Sequence, residues 1–176
     1  MRYELPEYVL KKRYAYHYLF LEGEIILNEG FTKKISEFLK NKLGNRLTIE
    51  VLIPERYSEL NIPNIFHIES NSVEVSINQF YERELKILDQ NIFVIAFDFI
   101  FYDETCDWEL YCSSSSELAV LGCTSRLVDE VREIFKPYEE FSFQDKVDSL
   151  GQMFSSTKDR EYFISSLTIN FSFIKI

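Results

Sequence analysis

Ile92-Phe93-Val94-Ile95-Ala96-Phe97-Asp98-Phe99-Ile100-Phe101-Tyr102 is the stretch on which the fold turns. Phe93, Ile95, Phe97, Phe99 and Phe101 share one face of an extended chain, and Val94, Ala96, Asp98, Ile100 and Tyr102 share the other. Both faces are largely apolar, which places this segment as a central strand with cover on both sides. The run is interrupted by Asp98 and is about half the roughly 20 residues that a membrane-spanning helix needs. Asp103-Glu104-Thr105-Cys106-Asp107 follows as a polar turn, and Trp108-Glu109-Leu110-Tyr111-Cys112 alternates again. Ser113 to Ser116 then lead into Glu117-Leu118-Ala119-Val120-Leu121-Gly122. The pattern predicts a three-stranded antiparallel meander over about 92–122.

Outward from the meander, Tyr14 to Phe20 alternates as a strand, and Glu22-Gly23 could turn it into Ile25-Ile26-Leu27. Helical spacing of Ile35, Phe38, Leu39 and Leu43 predicts a helix over about 31–43, ended by Gly44-Asn45. Leu47 to Ile53 and Ser72 to Ile77 read as strands, with a loop from Pro54 to Pro63. Leu127, Val128, Val131, Ile134 and Phe135 predict a second helix over about 125–136, with Thr124 or Ser125 as N-cap and Pro137 as stop. Ser142 and Asp145 resemble a capping box opening a third helix over about 143–154. A short helix at Lys158 to Ile164 and an alternating strand through Leu167, Ile169, Phe171 and Phe173 complete the pattern. The expected fold class is α+β: one antiparallel sheet around the meander, packed by helices, in a single domain spanning residues 1–176.

Composition narrows the function classes. Apolar residues make up 46% of the 176, enough for a packed core, and 5 glycines and 4 prolines leave little room for a loop-dominated chain. The 29 acidic and 19 basic side chains give a formal charge of -10. Such a field repels nucleic acid and anionic lipid and attracts basic proteins. The N-terminal Met1 to Pro6 carries charges and no apolar run of signal-peptide length, and Cys106, Cys112 and Cys123 are an odd set at spacings that suit neither a disulfide framework nor zinc knuckles. Reduced thiols and a cytoplasmic location are expected.

No nucleophile elbow, phosphate loop or dinucleotide fingerprint occurs, so no catalytic residues, metal site or cofactor are assigned. Asp98, Asp103, Glu104, Asp107, Glu109 and Glu117 gather around the predicted hairpin. Converging at one sheet end they could hold a divalent ion or form an acid/base pair, with Asp98 as the most unusual member because it sits within an apolar strand. Alternatively Asp98 meets a cation or an edge, and the rest solvate a turn. His17, inside the aromatic strand, and His67, flanking a strand start, are the only histidines and lie in no local motif. Trp108, the sole tryptophan, stands between Asp107 and Glu109 and would suit the centre of a protein interface; the alternative is a core residue that closes the sheet. Lys11-Lys12-Arg13 is the one compact basic run and is expected to face solvent.

Asp107-Trp108-Glu109-Leu110-Tyr111, followed after a short turn by Glu117-Leu118-Ala119-Val120-Leu121-Gly122, resembles a stretch in small bacterial immunity proteins of polymorphic toxin and contact-dependent inhibition systems. The resemblance implies an acidic, cytoplasmic, non-enzymatic domain that binds a cognate toxin, often a basic nuclease, through an acidic face. Partner binding is accordingly expected at Asp103, Glu104, Asp107, Trp108, Glu109 and Glu117. The alternatives are a small enzyme or metal-binding domain built on Asp98, Asp103, Asp107 and a histidine, and an assembly subunit whose aromatic residues serve an oligomer interface.

Overall fold

The computed structural model describes residues 5, 7–20, 29–40, 46–57, 64–69, 97–113, 118–135, 145 and 154–173. Nine regular elements lie among them: β1 (Tyr16–Phe20), α1 (Glu29–Lys40), β2 (Arg46–Leu52), β3 (Ile65–Glu69), β4 (Asp98–Asp103), β5 (Trp108–Ser113), β6 (Leu118–Cys123), α2 (Val128–Phe135) and α3 (Thr157–Asn170). Short 3₁₀ turns occupy Glu55–Tyr57 and Ser125–Leu127. The six strands form one sheet in the order β1-β6-β5-β4-β2-β3, antiparallel at every junction. The fold is α+β, and the predicted meander is its centre: β4, β5 and β6 are consecutive neighbours, flanked by β2 on one side and β1 on the other.

Alternation along β4 puts Phe97, Phe99 and Phe101 on one side of the sheet and Ile100 and Tyr102 on the other, and each side has its own core. The first joins those phenylalanines to Leu47, Ile49 and Val51 of β2 and to Trp108, Leu110 and Leu121. Helix α1 covers it with Phe38 and Leu39, and α2 with Val128, Val131 and Phe135. The spacing of those α2 residues is the 3–4 periodicity of one helix face. Thr124 takes the N-terminal flanking position ahead of Ser125, although its side chain makes no capping hydrogen bond. The second core joins Ile100, Tyr111, Leu118, Val120 and Leu19 to Val9, Leu10 and Tyr14 before β1, and to Phe163, Leu167 and Phe171 near the C-terminus. Residues 8–14 thus form a strap across this second face, with α3 beside it.

Two expectations change. The tail is not a strand: Thr157–Asn170 is one helix, and only an isolated bridge between His17 and Phe173 lies beyond it. Phe163, Leu167 and Phe171 recur every four residues and are buried, whereas Ile169, the partner required by a two-residue period, is 81% exposed. Ser156 starts the helix by accepting a hydrogen bond from the Asp159 amide (3.3 Å), satisfying a donor left open by helix geometry. The second change is β3, which carries His67 at its middle rather than beside a strand start and pairs with β2 from Arg46 opposite Glu69 to Glu50 opposite Ile65. Residues 92–96, the expected strands at 25–27 and 72–77, the stop at Gly44, Glu117 and the helix at 143–154, apart from helical Asp145 and the non-helical Phe154, fall outside the described residues.

Candidate functional site

The β4–β5 turn is built around Asp103. Its Oδ1 accepts from the Thr105 amide (2.9 Å), the Thr105 hydroxyl (2.5 Å) and the Cys106 amide (3.2 Å), and Oδ2 accepts from Trp108 Nε1 (2.9 Å). Cys106 adopts a positive φ of 52°, a left-handed conformation that closes the turn. Asp103 and Trp108 are fully buried, with the indole edge-on to Phe38 at 5.2 Å between ring centres. A docking anchor must be reachable, and these two side chains hold the turn to the core instead. Glu109 is also buried, on the opposite sheet face. Of the six residues expected to meet a partner, Glu104 and Asp107 remain at the surface, in ion pairs with Arg46 (3.8 Å) and Arg126 respectively. Glu117 lies outside the described residues.

Asp98 and Asp103 do not converge. They occupy opposite ends of β4, separated by about 16 Å at the usual rise per residue, and an odd offset sends their side chains to opposite faces. Buried Asp98 accepts from the Tyr111 hydroxyl at 2.6 Å. Among the described residues no group of three His, Cys, Asp or Glu side chains could hold a metal ion. The three cysteines are free, and burial pushes the Cys123 thiol up to about 12 and raises that of Cys112 as well, which keeps both protonated and unreactive.

A different constellation lies on the second face. The strand register aligns His67, Thr48, Tyr102, Glu109, Gly122 and His17 in one row across all six strands. Directly opposed residues share a face with adjacent side chains, so the row is a continuous band. Thr48 Oγ1 meets His67 Nδ1 at 3.1 Å at one end. At the other, His17 is buried, with Nδ1 3.3 Å from the Ser172 carbonyl and Nε2 3.2 Å from the Tyr8 hydroxyl. A carbonyl only accepts, so Nδ1 carries the proton, while the single proton of the Tyr8 hydroxyl goes to the Lys12 carbonyl at 2.7 Å. Burial, reinforced by the nearby Arg13 charge and partly offset by the Ser172 hydrogen bond, lowers His17 to about 4 and leaves it neutral at pH 7.

The strap crosses the middle of this row. Glu109 Oε2 accepts from the Lys11 amide at 2.7 Å, and the Tyr14 hydroxyl donates to the Cys106 carbonyl (3.1 Å). Lys11 Nζ pairs with Glu50 of β2 at 2.5 Å and sits 4.0 Å from the centre of the Tyr102 ring. Burial raises the Glu109 carboxyl, opposed by the Lys11 amide, the Tyr14 hydroxyl and the Lys11 and Lys12 charges. Gly122 is the point of closest approach: a Cβ there would stand 2.5 Å from Leu10 Cδ1 and 2.6 Å from Tyr14 Cδ2. The basic run is exposed, as expected, and its side chains also make contacts along the strap. Lys11 is tied down as described, Lys12 lies 5.1 Å from the Tyr14 ring centre, and Arg13 caps the Tyr8 ring at 3.9 Å while donating to the Asn170 carbonyl at 3.3 Å. One sequence signal pointed here: an isolated glycine inside a strand pattern marks a close backbone or side-chain approach.

No protein-family model, curated protein or solved structure matches the chain. No described helix is long and apolar enough to cross a membrane.

Proposed function

We propose that this chain is a non-enzymatic binding domain of the cytoplasm that neutralises a basic protein partner, in the manner of an immunity protein and its toxin. The observation that carries the proposal is the charge, 29 acidic against 19 basic side chains. Near the meander, exposed Glu104 and Asp129 lie at the end of the sheet where the β4–β5 turn meets α2. Glu104 and Asp107 emerge from a turn made rigid by Asp103, and the Thr124 amide bonds the Asp107 carbonyl (2.9 Å), bringing the first turn of α2 with Asp129 and Glu130 to the same end. Surface carboxylates of this kind accelerate encounter with a cationic partner and stand in for the phosphates that a nuclease partner would bind.

The test is to co-express the chain with the polypeptide encoded beside it and to measure association at graded ionic strength. A stoichiometric complex is expected, with an association rate that falls steeply between about 0.05 and 0.5 M salt as screening shortens the reach of the field. Glu104→Lys combined with Asp129→Lys should slow association about tenfold or more while leaving the melting transition in place. No complex at low salt, or a complex indifferent to both salt and charge reversal, overturns the proposal.

A further inference from the structure

The strap and the row beneath it form a ligand and its site within one chain. Glu109 is a buried carboxylate that accepts the Lys11 amide of the strap at 2.7 Å. Glu50 and Tyr102 together receive one ammonium group, that of Lys11, by ion pair and by ring face. Gly122 leaves the space that Leu10 and Tyr14 fill, and no residue with a side chain could occupy that position without displacing them. These features select a short pattern: an apolar residue, then a lysine whose amide and ammonium are both read, then an aromatic ring three positions later.

We propose that Tyr102, Glu109 and Gly122 of this row, with Glu50 two residues along β2 on the same face, form a peptide-binding slot for a segment of the form apolar-Lys-x-x-aromatic, and that residues 8–14 are its built-in, exchangeable occupant. The inference rests on the partner reading above, in that the segment taken from outside would be a lysine-bearing stretch of the basic partner, which displaces the strap on docking. When the strap lifts, Glu109 loses the Lys11 amide, and an incoming backbone N–H replaces like with like as the face is covered again. The exposed-acid surface at the β4–β5 turn governs the rate of encounter, and the slot governs which sequence is retained.

The probe is the acetylated, amidated peptide of residues 7–15, EYVLKKRYA, carrying a fluorophore, with the full chain as receptor. Lys11→Ala combined with Tyr14→Ala weakens the internal occupant and leaves the slot intact. This variant should bind the peptide saturably and at least tenfold more tightly than the unaltered chain, and adding Glu50→Gln or Gly122→Val should reverse the gain by a similar factor. Equal binding by the folded variant and the unaltered chain, or a gain that survives Glu50→Gln, overturns the proposal. Should the double variant not fold, hydrogen exchange on the unaltered chain decides. Excess peptide should accelerate exchange of the Lys11 and Tyr14 amides several-fold and leave those of Leu110 and Tyr111 unchanged; no acceleration overturns the proposal. The probe involves no natural partner, so peptide binding without a basic partner would defeat only the preceding proposal, and a partner without peptide binding would defeat only this one.

Discussion

Asp103 receives four hydrogen bonds from three residues, and that number explains why a turn so rich in acid is not uniformly an exposed acidic surface. Its sequence neighbours Glu104 and Asp107 look no different as letters, yet one carboxylate is fully buried and the others reach water. Alternation alone could have placed Trp108 on the apolar side with Leu110, since both follow the period of β5; what it could not supply was the acceptor for the indole N–H, which comes from five residues back. Asparagine at position 103 keeps the shape but offers one acceptor oxygen, so either the backbone donors or the indole lose their partner. Asp103→Asn should therefore lower stability by about 1–3 kcal/mol, the cost of a buried donor left unpaired, and shift Trp108 emission to longer wavelength. Urea titration followed by tryptophan fluorescence measures both. Unchanged stability together with weakened partner binding would return Asp103 to the surface role.

Helix α3 shows at the level of an element where a sequence pattern misleads. Leu167, Ile169, Phe171 and Phe173 satisfy a two-residue period, and Phe163, Leu167 and Phe171 satisfy a four-residue one. The second prevails because Ser156 caps the start and because the second sheet face offers a bed for one helical stripe, with Phe163 on Phe154 at 4.9 Å between ring centres. The meander was legible because its three strands each alternate and are joined by short polar turns, so local pattern and tertiary pairing agree. The strap was not legible, since its partners lie on β2, β4, β5 and β6 and no local period announces them. If the stripe holds α3, Leu167→Ala should cost about 2–5 kcal/mol as a buried large-to-small change, while Ile169→Ser should stay within about 0.5 kcal/mol. Thermal melts of the two variants provide the comparison, and equal effects would contradict this packing.

Across the whole molecule, stability should depend on pH through two buried groups on the same face. His17 is held near 4 in the fold against an ordinary value of 6.5, so between those limits the unfolded chain binds more protons and stability falls as pH falls. The full effect approaches about 3 kcal/mol at pH well below 4. Glu109 works against it: its carboxyl is raised by burial, so the folded state gains relative to the unfolded one as the pH drops through the carboxylate range. Denaturant midpoints between pH 7.5 and 4 should show a net decline beginning near 6.5. Glu109→Gln removes the opposing contribution and should steepen the decline at the acid end, whereas His17→Asn should flatten its onset, whatever each variant does to stability at neutral pH. A profile for His17→Asn identical in shape to that of the unaltered chain would rule out this assignment.

His17 also bonds through its backbone to Ser172, Ser172 Oγ donates to the Ala15 carbonyl, and Phe171 stacks on Tyr8 at 5.1 Å. These ties join residues far apart in the chain, 155 positions for His17 and Ser172. Closing so large a loop is entropically expensive before its contacts reward it, and contacts of that span slow folding. A polypeptide growing on the ribosome can complete β4–β6 and α2 while residues near 172 are still unmade, and only then join residues 8–17 to residues 171–172. Until that last step the second sheet face would stand partly uncovered, which makes the interval before this long-range closure the period in which the domain is most exposed to aggregation and to proteases.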